Sequence, residues 1–285
     1  MLRGAMLTQS RLRAAASHAI GLEVLKRCAR TLAPHGIYVM PLKGLWLQSY
    51  VYERPDERAI TDVDVIVPET AYRTAERALT AAGFEARVSN VSEVALAAPD
   101  LPLPLDLHAQ LFMPGAFALP SRELFARASG PVELEGARIM LPDPLDALSH
   151  LVGHIVKSRA APDDPMRTRD LTAVVQRFGL RGGEIAARLH AAGMARAARY
   201  ALSHVAHTDP VLAEALSALP RDPAGELIAR ACARAHTALE ATPRGSRLHR
   251  ATRALPGFLL ERSLPVAARS LLLRAVSLSA DRSHT

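Results

Sequence analysis

The triplet Asp62-Val63-Asp64 lies inside the run TDVDVIV, residues 61–67. Alternating β-branched residues predict a strand there, ended by Pro68. Side chains two apart on a strand share a face, so Asp62 and Asp64 project together while Val63 and Val65 turn into a core. Two carboxylates side by side repel unless a cation lies between them. Mg²⁺ takes oxygen ligands and suits such a pair. On a rigid strand the pair can build a two-metal site that bridges a nucleotide's phosphates to an acceptor oxygen. By the same electrostatics, Asp62→Asn or Asp64→Asn should leave the metal-free fold as stable or more stable.

A DxD pattern alone also occurs on solvated surface strands, so its sequence context carries weight. Upstream, Leu42-Lys43-Gly44 follows a strand-like run at 37–40 and opens a helical stretch at 45–52. A glycine there lets a phosphate approach the backbone, helix N-terminal amides point at it, and Lys43 adds a cation. Downstream, Leu105-Asp106-Leu107-His108 lies in a strand-like run over 103–112. Asp106 is a third carboxylate on a neighbouring strand. His108 shares its face and either orients an acceptor or fills a gap. His150 and His154 stand one helical turn apart, but without an HExxH pattern they read as packing or hydrogen-bonding residues.

These residues need elements to hold them. Apolar periodicity predicts a first helix over 7–33, stopped by Pro34 and Gly36. A helix over 71–82 closes at Gly83, a strand follows at 84–88, and a hairpin over 131–141 turns at Glu135-Gly136. After Pro142 the pattern becomes helical, over 143–159, 169–178, 183–192, 196–207, 210–218 and 223–242. The chain reads as α+β, with a mixed catalytic domain at 1–141 and a helical domain at 142–285.

Composition sets outer bounds. The 285 residues are 49% hydrophobic and 22% charged, which supplies a core and excludes a disordered chain. No apolar run approaches the ~18 residues of a spanning helix, so no integral membrane segment is expected. The N-terminal stretch 1–20 holds Arg3, Arg11 and Arg13 without an uninterrupted apolar core, and reads as an amphipathic helix rather than a signal peptide. Cys28 and Cys232 are isolated and read as buried thiols of a reducing cytoplasm. Of the net charge of +7, residues 241–285 carry +6, from eight Arg against Glu261 and Asp281. Arg247, Arg250 and Arg269 of this tail offer a surface to an acidic partner, or else flank apolar segments that pack on the helical domain. Aromatics are only 4%, which argues against a nucleic-acid stacking platform.

The order PLKGLWLQSY, TDVDVIV, a helix ending in AAGF, then LDLHAQLF resembles the uncharacterised bacterial nucleotidyltransferase family of the polymerase-β-like superfamily. The resemblance spans residues 20–180, its helical part carried by LPDPLDALSHLVGHIVKSR and by Arg167-Thr168-Arg169-Asp170-Leu171. It implies a polymerase-β-like nucleotidyltransferase domain, with a mixed β-sheet backed by helices, followed by a helical domain. It also implies three acidic metal ligands and an NTP donor, foremost ATP. Carried over, Asp62 and Asp64 are the paired acids and Asp106 the third. Lys43-Gly44 stands where the wider superfamily has a Gly-Ser turn. Arg58, four residues before Asp62, matches an arginine commonly seen there, and the resemblance implies that it would face phosphate. The expected reaction is Mg²⁺-dependent transfer of a nucleotidyl group to a hydroxyl of a small molecule, peptide or protein. The alternatives are a kinase using the same metal site for the γ-phosphate, and a non-catalytic or antitoxin-like binding protein. A damaged acidic triad would mark the last of these, and all three acids are present.

Overall fold

The computed structural model of the chain describes residues 2–89, 92–113, 115–158, 161–240 and 259–260. They form two compact units, one of Met1–Leu111 with Pro120–Asp143, the other of Phe112–Leu119 with the helices that begin at Pro144.

In the first unit, helix α1 (Leu2–Leu32) runs into a 3₁₀ turn at Ala33–His35, and Gly36 ends it with φ +66°. Strand β1 (Met40–Pro41) is much shorter than the run at 37–40 suggested. It is the sheet's edge strand, where Pro41, lacking an N–H, is tolerated. Helix α2 (Lys43–Trp46) leads into a π-helical turn at Leu47–Val51, and strand β2 (Val63–Ile66) follows. Helix α3 (Tyr72–Ala81) ends at Gly83, whose φ is +94°. Strands β3 (Glu85–Ser89), β4 (Glu93–Ala97) and β5 (Leu105–His108) complete the sheet. A short helix, α4 (Ser121–Arg127), precedes the hairpin of β6 (Ser129–Leu134) and β7 (Ala137–Leu141). Glu135 and Gly136, both with positive φ, form its two-residue turn, as the hairpin twist requires.

The sheet order is β1-β2-β5-β4-β3, and it is mixed. Strands β2 and β5 are parallel, and the other pairs are antiparallel. Val63, Val65, Leu105, Leu107, Val94 and Leu96 are fully buried on one face, in a core shared with Val24, Leu25 and Leu32 of α1 and Ala75 and Leu79 of α3. Alternation then sends Asp64, Asp106, His108, Glu93 and Ala95 to the opposite face. Burying six apolar strand residues against two helices is what holds this acidic face in register.

The second unit contains α5 (Pro144–Lys157), α6 (Pro165–Phe178), α7 (Gly182–Ala191), α8 (Ala195–Ala201), α9 (Pro210–Ala218) and α10 (Pro223–Glu240). Helix α6 starts earlier than the apolar pattern suggested, because Asp164 caps it: its carboxylate accepts hydrogen bonds from the amides of Met166 and Arg167, both at 3.1 Å. Asp209 caps α9 in the same way. His150 is buried on α5 and meets the ring of Phe112 edge-on, with centroids 5.8 Å apart. His154 packs against His150, with centroids 6.1 Å apart. Buried Asp146 pairs with Arg188 of α7. Both cysteines are free and buried, and burial pushes the thiols up, to about 12 for Cys28 and about 11 for Cys232.

Candidate active site

Asp64 and Asp106 are direct partners in the parallel pairing of β2 and β5. Partners in register project to the same face, so two strands deliver two carboxylates side by side. His108, two residues beyond Asp106, joins them: ligand atoms of Asp64, Asp106 and His108 all lie within 4.8 Å of one another. Across the sheet, Ala95 of β4 is the partner of Asp106, and its small side chain leaves the carboxylate uncrowded. Asp62 lies just before β2, outside that group of three but within electrostatic reach of both Asp64 and Asp106.

The acids differ sharply in their surroundings. Asp64 is 3% exposed. Burial pushes its carboxyl up, but Lys43 and the His108 hydrogen bond outweigh that and hold it far below the usual carboxylate range. Lys43 Nζ is 2.5 Å from Asp64 Oδ1, and His108 Nε2 donates to the same oxygen at 3.0 Å. A carboxylate only accepts, so the His108 proton must be on Nε2. His108 Nδ1 is buried without a hydrogen bond, 3.5 Å from Glu93 Oε2. For Asp106 the favourable influence of His108 is outweighed. Burial first, and then the Asp64 charge, push its carboxyl up to about 6. Asp62 is raised for the same two reasons.

These surroundings correct one sequence-based expectation. Asp64 is not a repelled carboxylate awaiting relief, because Lys43 pairs with it and His108 donates a hydrogen bond to it. Asp64→Asn is therefore expected to destabilise the metal-free fold, while the expectation for Asp62→Asn is unchanged. They also place His108, which is buried and hydrogen-bonded to Asp64.

Lys43 and Gly44 open α2. Lys43 has φ +41°, a left-handed conformation that a residue with a Cβ rarely adopts. Leu42 N–H donates to the Asp64 carbonyl at 2.9 Å, so Asp64 holds this turn by both its main chain and its side chain. Gly44 is buried, and a Cβ there would lie 2.6 Å from Ile60 Cγ2 and 3.0 Å from Arg58 Nη1. The glycine is thus needed for close packing of the 58–60 segment, a reason that phosphate access did not anticipate. That packing brings the Arg58 guanidinium beside the Lys43-Gly44 turn. Nearby, Asp56 pairs with Arg54.

Two contributors were missed. Glu93 lies on β4, which the Ala-rich text around Val94 and Leu96 concealed, and it is the cross-strand partner of His108. Gln48 is buried on the π-helical turn. Its Nε2 donates to the carbonyls of Ala14, Pro55 and Arg58, tying α1 to the segment that carries Arg58. The run LWLQSY gives no sign of this, because all three acceptors are main-chain atoms distant in sequence.

Residues 4–208 match the sequence profile of the uncharacterised nucleotidyltransferase family, and the chain belongs to that family. No functionally curated protein matches it. Similar solved structures include the antibiotic-resistance factor ANT(2'')-Ia in solution, at 12% identity and a TM-score of 0.45, covering 66% of this chain and 97% of that one. A nucleotidyltransferase-like antigenic protein from Paracoccidioides brasiliensis has 14% identity and a TM-score of 0.43, covering 72% and 96%. ANT(2'')-Ia in complex with adenylyl-2''-tobramycin has 11% identity and a TM-score of 0.43, covering 60% and 95%. By family the protein is an enzyme of the nucleotidyltransferase class, which acts on an NTP, in an α+β fold.

Proposed function

We propose that the protein transfers a nucleotidyl group from ATP to a hydroxyl acceptor, with Mg²⁺ bound at Asp62, Asp64 and Asp106. The observation that carries this reading is the register pairing of Asp64 with Asp106, with Asp62 two residues upstream. Carboxylate oxygens are the donors Mg²⁺ prefers, and the raised Asp62 and Asp106 carboxyls mark a cluster short of positive charge. When bound, Mg²⁺ would neutralise triphosphate charge and activate the acceptor oxygen.

The chain's own residues do the rest. Lys43 offers an ammonium to a phosphate, and the Lys43-Gly44 backbone lies next to it. Arg58 adds a guanidinium from the packed 58–60 segment. His108 keeps Asp64 in one orientation, as groups behind a metal ligand do. Asp106 completes the acidic site, and we assign its carboxylate the acceptor's proton. Catalysis then rests on positioning and charge neutralisation. ATP supply and two buried thiols suit a reducing cytoplasm, where we place the protein.

The test is product analysis with ATP labelled at either the α- or the γ-phosphorus, Mg²⁺, and a hydroxyl-rich metabolite extract. Label from the α-phosphorus should appear in the acceptor, with release of pyrophosphate, and Asp64→Asn or Asp106→Asn should abolish it. Transfer of the γ-label with formation of ADP would instead identify a kinase and overturn the proposal.

A further inference from the structure

Lys43 stands in two relations at once, to the acid cluster that would hold metal and to the turn that would hold phosphate. Its Nζ is 2.5 Å from Asp64 Oδ1, and its side chain is 12% exposed. His108 Nε2 reaches the same oxygen at 3.0 Å. The acid cluster therefore already contains a cation, supplied by the chain. We infer that Lys43 is the resident counter-cation of this cluster and couples divalent-metal binding to nucleotide binding. The inference rests on the function proposed above.

The physical case has three parts. A divalent ion placed on Asp64 meets the Lys43 ammonium as a like charge, so metal alone binds against repulsion. Lysine is a point charge on a flexible four-carbon stem, so it can leave one anion for another without moving the backbone. A triphosphate at the Lys43-Gly44 turn offers that second anion. The backbone agrees: φ +41° at Lys43 is disfavoured for a residue with a Cβ, and it persists where Asp64 grips the turn through both its carbonyl and its carboxylate. With Lys43 on Asp64, metal is held weakly and the phosphate lacks its lysine. With Lys43 on the nucleotide, Asp64 is released to the metal. Coupling of this kind is reciprocal, so each ligand strengthens the other by the same factor.

The signature is a pair of opposite effects that general damage to the site cannot produce. Isothermal calorimetry on the full chain would measure Mn²⁺ alone, a non-hydrolysable ATP analogue alone, and each in the presence of the other. Lys43→Met should bind Mn²⁺ alone more tightly, by about 5- to 150-fold. It should bind the analogue more weakly, and the mutual enhancement should shrink. Lys43→Arg keeps the charge and should keep Mn²⁺ weak. Unchanged or weakened Mn²⁺ binding in a folded Lys43→Met protein would overturn the inference, as would equal tightening in Lys43→Arg. If Lys43→Met does not fold, the wild-type titrations still decide, because Mn²⁺ affinity equal with and without the analogue overturns it. Asp64→Asn and Asp106→Asn separate the two proposals: undiminished Mn²⁺ binding in both would remove the metal site itself, and with it the function proposed above.

Discussion

Asp64 and Asp62 are two residues apart, yet the fold gives them opposite electrostatic roles. Asp64 is buried with Lys43 and His108 on a single oxygen, and removing its charge strands a buried ammonium. Asp62 is raised by burial and by Asp64, so its charge is a burden until a cation arrives. Asp64→Asn should therefore lower metal-free stability by roughly 2–3 kcal/mol. Asp62→Asn should leave it unchanged or raise it. Chemical denaturation in the presence of a chelator measures both, and equal shifts for the two variants would refute this division of roles. The spacing of Asp62 and Asp64 was legible in sequence, but Asp62 precedes β2 and lies outside the Asp64, Asp106 and His108 group. Their difference was not legible, because it depends on Lys43, and the left-handed φ that accompanies the Lys43–Asp64 pair has no signature in a lysine codon.

At the scale of elements, strands and helices with strong periodicity were readable, and those made of alanine were not. Strand β2 declares itself through Val63, Val65 and Ile66, and β5 through Leu105 and Leu107. Strand β4 has the same alternation, with Val94 and Leu96 buried, but Ala95 between them and Ala97 after them favour helix in isolation. Its pairing with β5 decides the matter, since tertiary contacts outweigh weak propensity. Of the run over 103–112 only Leu105–His108 are strand, and from Phe112 to Leu119 the chain belongs to the second unit. The Lys43-Gly44 turn has a packing reason that the sequence did not suggest. Gly44 was legible as a phosphate-approach glycine, and its contact with Ile60 and Arg58 was not. Gly44→Ala forces a Cβ into 2.6 Å contact with Ile60, a tightly packed side chain. It should cost about 1–3 kcal/mol of stability, in the range of overpacked cores. Because the displaced segment carries Arg58, it should also weaken binding of a non-hydrolysable ATP analogue. Thermal melting with calorimetry checks both, and a wild-type melting temperature would show that the close approach is not structural.

For the whole molecule the question is where its charge sits and what the last 45 residues do. Residues 241–285 hold +6 of the net +7, so the rest of the chain is nearly neutral. Arg247, Arg250 and Arg269 lie outside the described residues, and the sequence-based choice between an acidic-partner surface and a structural segment has to be made by experiment. One described residue in this stretch bears on it: Leu260 is fully buried. Burying a leucine in a well-packed site is worth a few kcal/mol, and truncating it to alanine typically costs about 2–5 kcal/mol. Leu260→Ala should therefore lower the melting temperature clearly, and ending the chain at residue 243 should lower it further. If the three arginines serve a partner rather than the fold, neutralising them to glutamine should leave the melting temperature near that of the wild type. If the acceptor is acidic, the same triple variant should raise KM for it, most strongly at low salt, where such contacts are least screened. Melting curves for the three variants separate the two roles. A large loss of stability in the arginine variant, with none in Leu260→Ala, would reverse the assignment and make the tail's charge, rather than its apolar residues, the part that holds it.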